Sequence, residues 1–102
     1  RQGAYAQFVT ARVDELMDAP EGLSFAEAVA LPIQGISAQQ MLRYSAKLQP
    51  GERVLVHAAA GGTGQLLVQM AKLVGAQVIA TVSTSLTALL SVLVTVRVSR
   101  PA

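Results

Sequence analysis

Seven small residues, Ala58-Ala59-Ala60-Gly61-Gly62-Thr63-Gly64, constrain what this chain can fold into more than any other stretch. They follow a short apolar run, Val54-Leu55-Val56, of the kind that suits a buried parallel strand. They precede Gln65 to Val74, where Leu67, Met70, Ala71 and Val74 fall on one helical face. Lys72 in the last turn and Gly75 just past it give that helix a C-terminal stop. Val78-Ile79-Ala80-Thr81-Val82 then reads as a second strand. Strand, glycine turn, helix and strand thus succeed one another between Val54 and Val82, a length that fits one βαβ unit.

The expected fold class is therefore α/β, with a partial Rossmann-type parallel sheet. From Ala59 the small residues fit G-x-G-x-x-G with Ala in the first glycine place; from Ala58 they read A-x-x-G-x-x-G. Such a turn needs small residues because the chain bends sharply, a pyrophosphate approaches the backbone, and helix and strand pack closely. A Cβ at Gly61 or Gly62 would obstruct the approach. The free N–H groups and positive end of the following helix would face the phosphates. The context of strand before and helix after is what a dinucleotide-binding turn requires. The competing reading is a glycine turn that serves helix packing only.

The end of the second strand speaks to cofactor choice. An NAD site places Asp or Glu about 20 residues beyond the turn, to bond the ribose 2′-hydroxyl. That place falls at Val82-Ser83-Thr84, and no carboxylate side chain follows Glu52 anywhere. A carboxylate would repel a 2′-phosphate, whereas the hydroxyls of Ser83 and Thr84 can donate to it, so the sequence favours NADP. The competing reading makes both hydroxyls ordinary turn residues.

The amino-terminal part gives weaker signals. Tyr5-Ala6-Gln7-Phe8-Val9-Thr10 has strand composition, and Asp18 to Gly22 is a turn or linker. Ser24 and Glu27 match a capping box, predicting a short helix over Phe25 to Ala30 that Pro32 breaks. Ser37 to Gln40 matches a second box, predicting a helix that runs to about Lys47. Leu86 to Val98 is rich in Val, Leu and Thr, a strand or an apolar irregular segment of unassigned role.

Composition excludes several classes. At 52% hydrophobic and 14% charged, the chain has far more apolar material than a solvated coil needs. With no Cys and one His, a disulfide scaffold and a thiolate zinc site are excluded. The net charge of +2 does not argue for nucleic acid. The chain opens on Arg1 without a basic segment leading into an apolar one, so no signal peptide is expected. Leu73 to Val96 is uncharged and long enough for a membrane span, but Gly75, Gln77 and seven Ser or Thr residues argue against one. His57 is read as structural. Tyr5, Phe8, Phe25 and Tyr44 are read as packing groups, and Glu15, Asp18 and Glu21 as a solvated face.

Gly3-Ala4-Tyr5-Ala6-Gln7-Phe8-Val9, Leu31-Pro32-Ile33-Gln34-Gly35-Ile36-Ser37-Ala38, the run from Val54 to Gly64, and Val78 to Thr84 together carry a resemblance. The chain resembles the zinc-independent quinone oxidoreductases (zeta-crystallin-like) of the medium-chain dehydrogenase/reductase superfamily. The resemblance implies a metal-free, NADPH-dependent, cytoplasmic enzyme with a GroES-like substrate domain and a Rossmann domain, acting on quinones or other α,β-unsaturated carbonyls. It implies that residues 1–22 end a GroES-like domain and its linker, that 23–84 begin the NADP-binding domain, and that 85–102 are a divergent tail. It implies that Ala60, Gly61, Gly62, Thr63 and Gly64 line the pyrophosphate. Ser37 replaces a family Thr near the nicotinamide end, and Ser83 and Thr84 lie near the 2′-phosphate. The parent is expected to be a homodimer.

The family Lys that follows is absent from Ser85-Leu86-Thr87-Ala88, and the similarity stops there. A fragment of such an enzyme, inactive by itself, is the leading expectation. A non-enzymatic nucleotide-binding or interaction remnant is the alternative, and a membrane-associated polypeptide ranks below it.

Overall fold

The computed structural model describes residues 3–82 and 96–99. After a 3-10 turn at Val13–Glu15, the elements are α1 (Phe25–Ala28), α2 (Pro32–Gln39), β1 (Arg53–Val56), α3 (Gly62–Val74), β2 (Gln77–Ala80) and β3 (Val96–Ser99). A π-helical stretch, Gln40–Ser45, continues α2. β1 and β2 run parallel, Val54 opposite Val78 and Val56 opposite Ala80. The βαβ unit is thus present as expected. β3 joins the other edge of β1 and runs antiparallel, Val54 opposite Val98, which makes the three-stranded sheet mixed and places β1 at its centre.

The core is built from two periodicities. On β1, Val54 and Val56 point to one face and are fully buried, while Leu55 between them is half-buried. On α3, Gly64, Leu67 and Ala71 form the buried stripe. α2 packs on α3 and contributes Ala38; Leu42 and Leu48 complete the cluster. Burying Leu67, Val54 and Val56 contributes about 1.5–3 kcal/mol each. Gly75 ends α3 at φ 94°, where its N–H donates to Lys72 O and the N–H of Ala76 donates to Ala71 O, the Schellman closure.

Several expectations need correction. Tyr5 to Thr10 joins no sheet: a strand exists through its ladder, and no described strand lies beside this segment. Tyr5, Phe8, Phe25 and Tyr44 are exposed and do not act as packing groups among the described residues. Pro32 does not break a helix but opens one, at the first helical position where its missing N–H costs nothing. Ser37 therefore lies inside α2 and caps nothing. The helix expected from Gln65 begins at Gly62, and the strand expected from Val78 to Val82 spans Gln77–Ala80. The capping box at Ser24 is present: the Glu27 N–H donates to Ser24 Oγ at 3.2 Å, and the Ser24 N–H donates to the Glu27 carboxylate at 2.8 Å. It opens a helix of four residues, two shorter than expected. The uncharged stretch from Leu73 is interrupted by Gly75 and then by a strand. No helix among the described residues is long and apolar enough to cross a membrane.

Candidate cofactor-binding site

The glycine turn joins the C-terminal end of β1 to the first turn of α3. Ala58 adopts φ 55°, the left-handed region that an alanine rarely enters. Its carbonyl accepts the Gly61 N–H at 3.0 Å, which closes the bend. Gln65 braces the far side by donating its side-chain amide to Ala60 O at 2.8 Å. Gly61 is the N-cap, in extended backbone, and its carbonyl accepts the Gln65 N–H at 2.9 Å. Gln65 is thus the first residue of α3 whose N–H is spent within the helix. The N–H groups of Gly62, Thr63 and Gly64 have no acceptor among the described residues, as a helix start dictates.

The three glycines differ in what they make room for. A Cβ on Gly64 would collide with Ala58 O and lie 2.7 Å from Ala59 Cα, so Gly64 is required for the helix to sit against the turn. A Cβ on Gly61 would lie 3.3 Å from Ala58 O, a tight contact. A Cβ on Gly62 would lie 3.1 Å from Gln34 Nε2. Gly61 and Gly62 are exposed, Thr63 is half-buried and Gly64 is buried. The turn therefore presents side-chain-free backbone and unclaimed donors on its outer surface. Those donors suit an anion, and a pyrophosphate fits this arrangement.

The structure brings Ala60, Gly61, Gly62, Thr63 and Gly64 together at the start of α3. Ser37 lies on α2, one helical turn beyond Gln34, whose side chain reaches Gly62. Ser83 and Thr84 lie outside the described residues. Two features escaped sequence reading. Gln34 approaches the turn from α2, and no periodicity or motif spacing marks such a contact. His57 and Thr81, 24 positions apart, meet with Nδ1 2.7 Å from Oγ1. That bond agrees with a structural His57; only the pairing of two strand ends could have pointed to it. Among the described residues no three His, Cys, Asp or Glu side chains cluster.

An open apolar groove of about 800 Å³ runs along α1, α2 and α3, lined by Phe25, Val29, Ile36, Leu66, Met70 and Leu73 among others. No residue of the glycine turn borders it. The groove is lined mainly by apolar side chains, whereas the turn has the polar groups that can orient a charged ligand.

A parallel βαβ unit with a glycine turn opening its helix defines a Rossmann-type α/β protein. Comparison with known proteins places it more narrowly. No protein-family model matches the chain. It is 41% identical over 81 residues to a quinone oxidoreductase of Pseudomonas aeruginosa, covering 79% of this chain and 25% of that protein. It is 42% identical over 82 residues to the highly reducing polyketide synthase phiA of a fungal species (strain ATCC 74256), covering 80% of this chain and 3% of that one. Among solved structures it matches CurK enoyl reductase at TM-score 0.70 and 48% identity, covering 80% of this chain and 25% of that one. An NAD-dependent alcohol dehydrogenase matches at TM-score 0.78 and 42% identity, over 82% and 24% of the two chains. The quinone oxidoreductase of Thermus thermophilus, also solved with NADPH, matches at TM-score 0.58 and 45% identity, over 64% and 22%. Over about four-fifths of its length this chain is homologous to quinone oxidoreductases and enoyl reductases of the medium-chain dehydrogenase/reductase superfamily. It spans about a quarter of the length of its single-enzyme relatives.

Proposed function

We propose that this chain supplies the pyrophosphate-binding part of an NADPH-dependent oxidoreductase that reduces quinones or α,β-unsaturated carbonyls. The observation that carries the reading is the row of unclaimed N–H groups at Gly62, Thr63 and Gly64, beside the exposed backbone of Gly61 and Gly62. These donors hold the pyrophosphate, and the positive end of α3 adds to their attraction. Gly61 leaves the approach open, and Ala60 carries the bend. Ser37 stands on the nicotinamide side, and the hydroxyls of Ser83 and Thr84 donate to the 2′-phosphate. When bound, NADPH supplies the hydride.

The cofactor assignment draws on the absence of any carboxylate after Glu52 and on the relative solved with NADPH. A neighbour named as NAD-dependent makes the choice of nucleotide the point to measure. The apolar groove lies off the turn, so the described residues do not bring an acceptor pocket to the cofactor. We therefore expect the chain by itself to bind nucleotide with little or no turnover.

Titration of the 102-residue chain with NADPH and NADH tests this reading. The expected result is saturable binding, tighter for NADPH, that is lost in Gly62→Asp, whose carboxylate would stand against the phosphates. NADPH oxidation with a simple quinone should stay at the buffer rate. No saturable binding at millimolar NADPH would overturn the assignment, and equal affinity for NADH would overturn the preference for the 2′-phosphate.

A further inference from the structure

We propose that His57 and Thr81 form a positioning clasp that holds the glycine turn in register with the end of β2. The clasp sets the span between the pyrophosphate cradle and the adenosine-ribose end of a bound nucleotide. The inference rests on the cofactor reading above and goes beyond it, because neither residue touches the cradle's donors.

The argument starts where the ladder stops. β1 ends at Val56 and β2 at Ala80, yet the backbone segments that follow the two strands stay joined through one residue, Thr81. The Thr81 N–H donates to Val56 O at 3.0 Å, and the Ala59 N–H donates to Thr81 O at 3.1 Å. The third link, between His57 Nδ1 and Thr81 Oγ1 at 2.7 Å, is made by side chains alone. Between these links sits Ala58, in left-handed backbone that relaxes unless its neighbours are held. The Ala58 carbonyl in turn accepts from Gly61 and lies where a Cβ on Gly64 would fall. Thr81 thus anchors both flanks of the strained residue on which the cradle is built.

A dinucleotide on such a unit reaches from the glycine turn to the end of the second strand, where its adenosine ribose is recognised. Only a ligand that spans both places senses their separation. A pyrophosphate ion, which occupies the turn alone, does not.

The test compares NADPH with inorganic pyrophosphate on the full chain. NADPH binding is followed by fluorescence, and pyrophosphate by the amide shifts of Gly61 to Gly64. Thr81→Val, which keeps shape and removes the hydroxyl, should weaken NADPH roughly three- to tenfold, the equivalent of one neutral hydrogen bond. Pyrophosphate affinity should hold within about twofold, since the two backbone links of residue 81 to Val56 and Ala59 remain and keep Ala58 and the donors in place. Thr81→Ser should restore NADPH affinity, and the His57 Nδ1 resonance should move in Thr81→Val and return in Thr81→Ser. His57→Gln removes the ring from the other side and should reproduce the selective loss, which carries the test should Thr81→Val fail to fold. Unchanged NADPH affinity in the folded variants, parallel loss of both ligands, or failure of the serine rescue would each overturn the clasp. A wild-type chain whose Gly61 to Gly64 amides respond to neither ligand overturns the cradle reading itself, and the clasp falls with it.

Discussion

The two halves of this chain use similar apolar side chains to opposite ends. From Glu52 to Thr81, Val54, Val56, Leu67 and Ala71 are buried, and the ends of strand and helix are tied by named hydrogen bonds. From Gly3 to Leu31 no residue is buried, and Tyr5 and Phe8 are 109% and 90% exposed. Hydrophobicity therefore does not separate the halves; the presence of a partner surface does. A strand-forming sequence without a neighbouring strand stays irregular, and an amphipathic helix such as α3 is fixed because the sheet and α2 lie against it. The single-enzyme relatives are about three times as long as this chain, and the matched stretch takes in four-fifths of this chain.

Substitutions can break this contrast, and the largest effect is expected at Gly64. A methyl group there meets the Ala58 carbonyl and the Ala59 backbone, neither of which can swing aside as a side chain tip could. Gly64→Ala should cost about 3 kcal/mol or more, enough to remove the cooperative urea transition of a marginal domain. A folded Gly64→Ala with an unchanged midpoint would show that helix and turn do not pack as described. Next comes Leu67→Ala, which empties a fully buried site and should cost roughly 2–5 kcal/mol. Its counterpart in the other half, Phe8→Ala, removes a larger side chain and should stay within about 0.5 kcal/mol. Equal midpoint shifts for Leu67→Ala and Phe8→Ala would erase the distinction between the halves.

What could be read from sequence follows the same division. The βαβ unit was legible because local signals agreed: an apolar strand run, small residues at the bend, one helical stripe and a glycine stop at Gly75. Its helix starts three residues earlier than the stripe shows, because Gly62, Thr63 and Gly64 join the helix through backbone geometry and not through apolar side chains. The capping box at Ser24 was legible and the one at Ser37 was not a cap, although the two patterns look alike. Pro32 decides between them, since its fixed φ starts α2 upstream of Ser37. Tyr5 to Thr10 carried strand composition, but a strand needs a partner that composition cannot supply. At the candidate site the bend between β1 and α3 was legible in its glycines. The approach of Gln34 and the pairing of His57 with Thr81 depend on tertiary placement alone.

The smallest expected effect lies in the exposed half, at the capping box that opens α1. Glu27 accepts hydrogen bonds from the backbone N–H of Ser24 and from its hydroxyl, and these hold its carboxyl below the ordinary value of 4.5. A carboxyl with a lowered folded-state value stabilises its surroundings while ionised. That contribution is complete above the ordinary glutamate range and is lost as pH falls through the lowered value. The start of α1 should therefore loosen on acidification below 4.5, seen as shifts of the Ser24 and Glu27 amides, while the amides of α3 stay in place. Glu27→Gln should remove the pH step and leave the rest of the spectrum unchanged. If the step persisted in Glu27→Gln, or if α3 moved with α1, the two halves would be coupled and the contrast between them would fail.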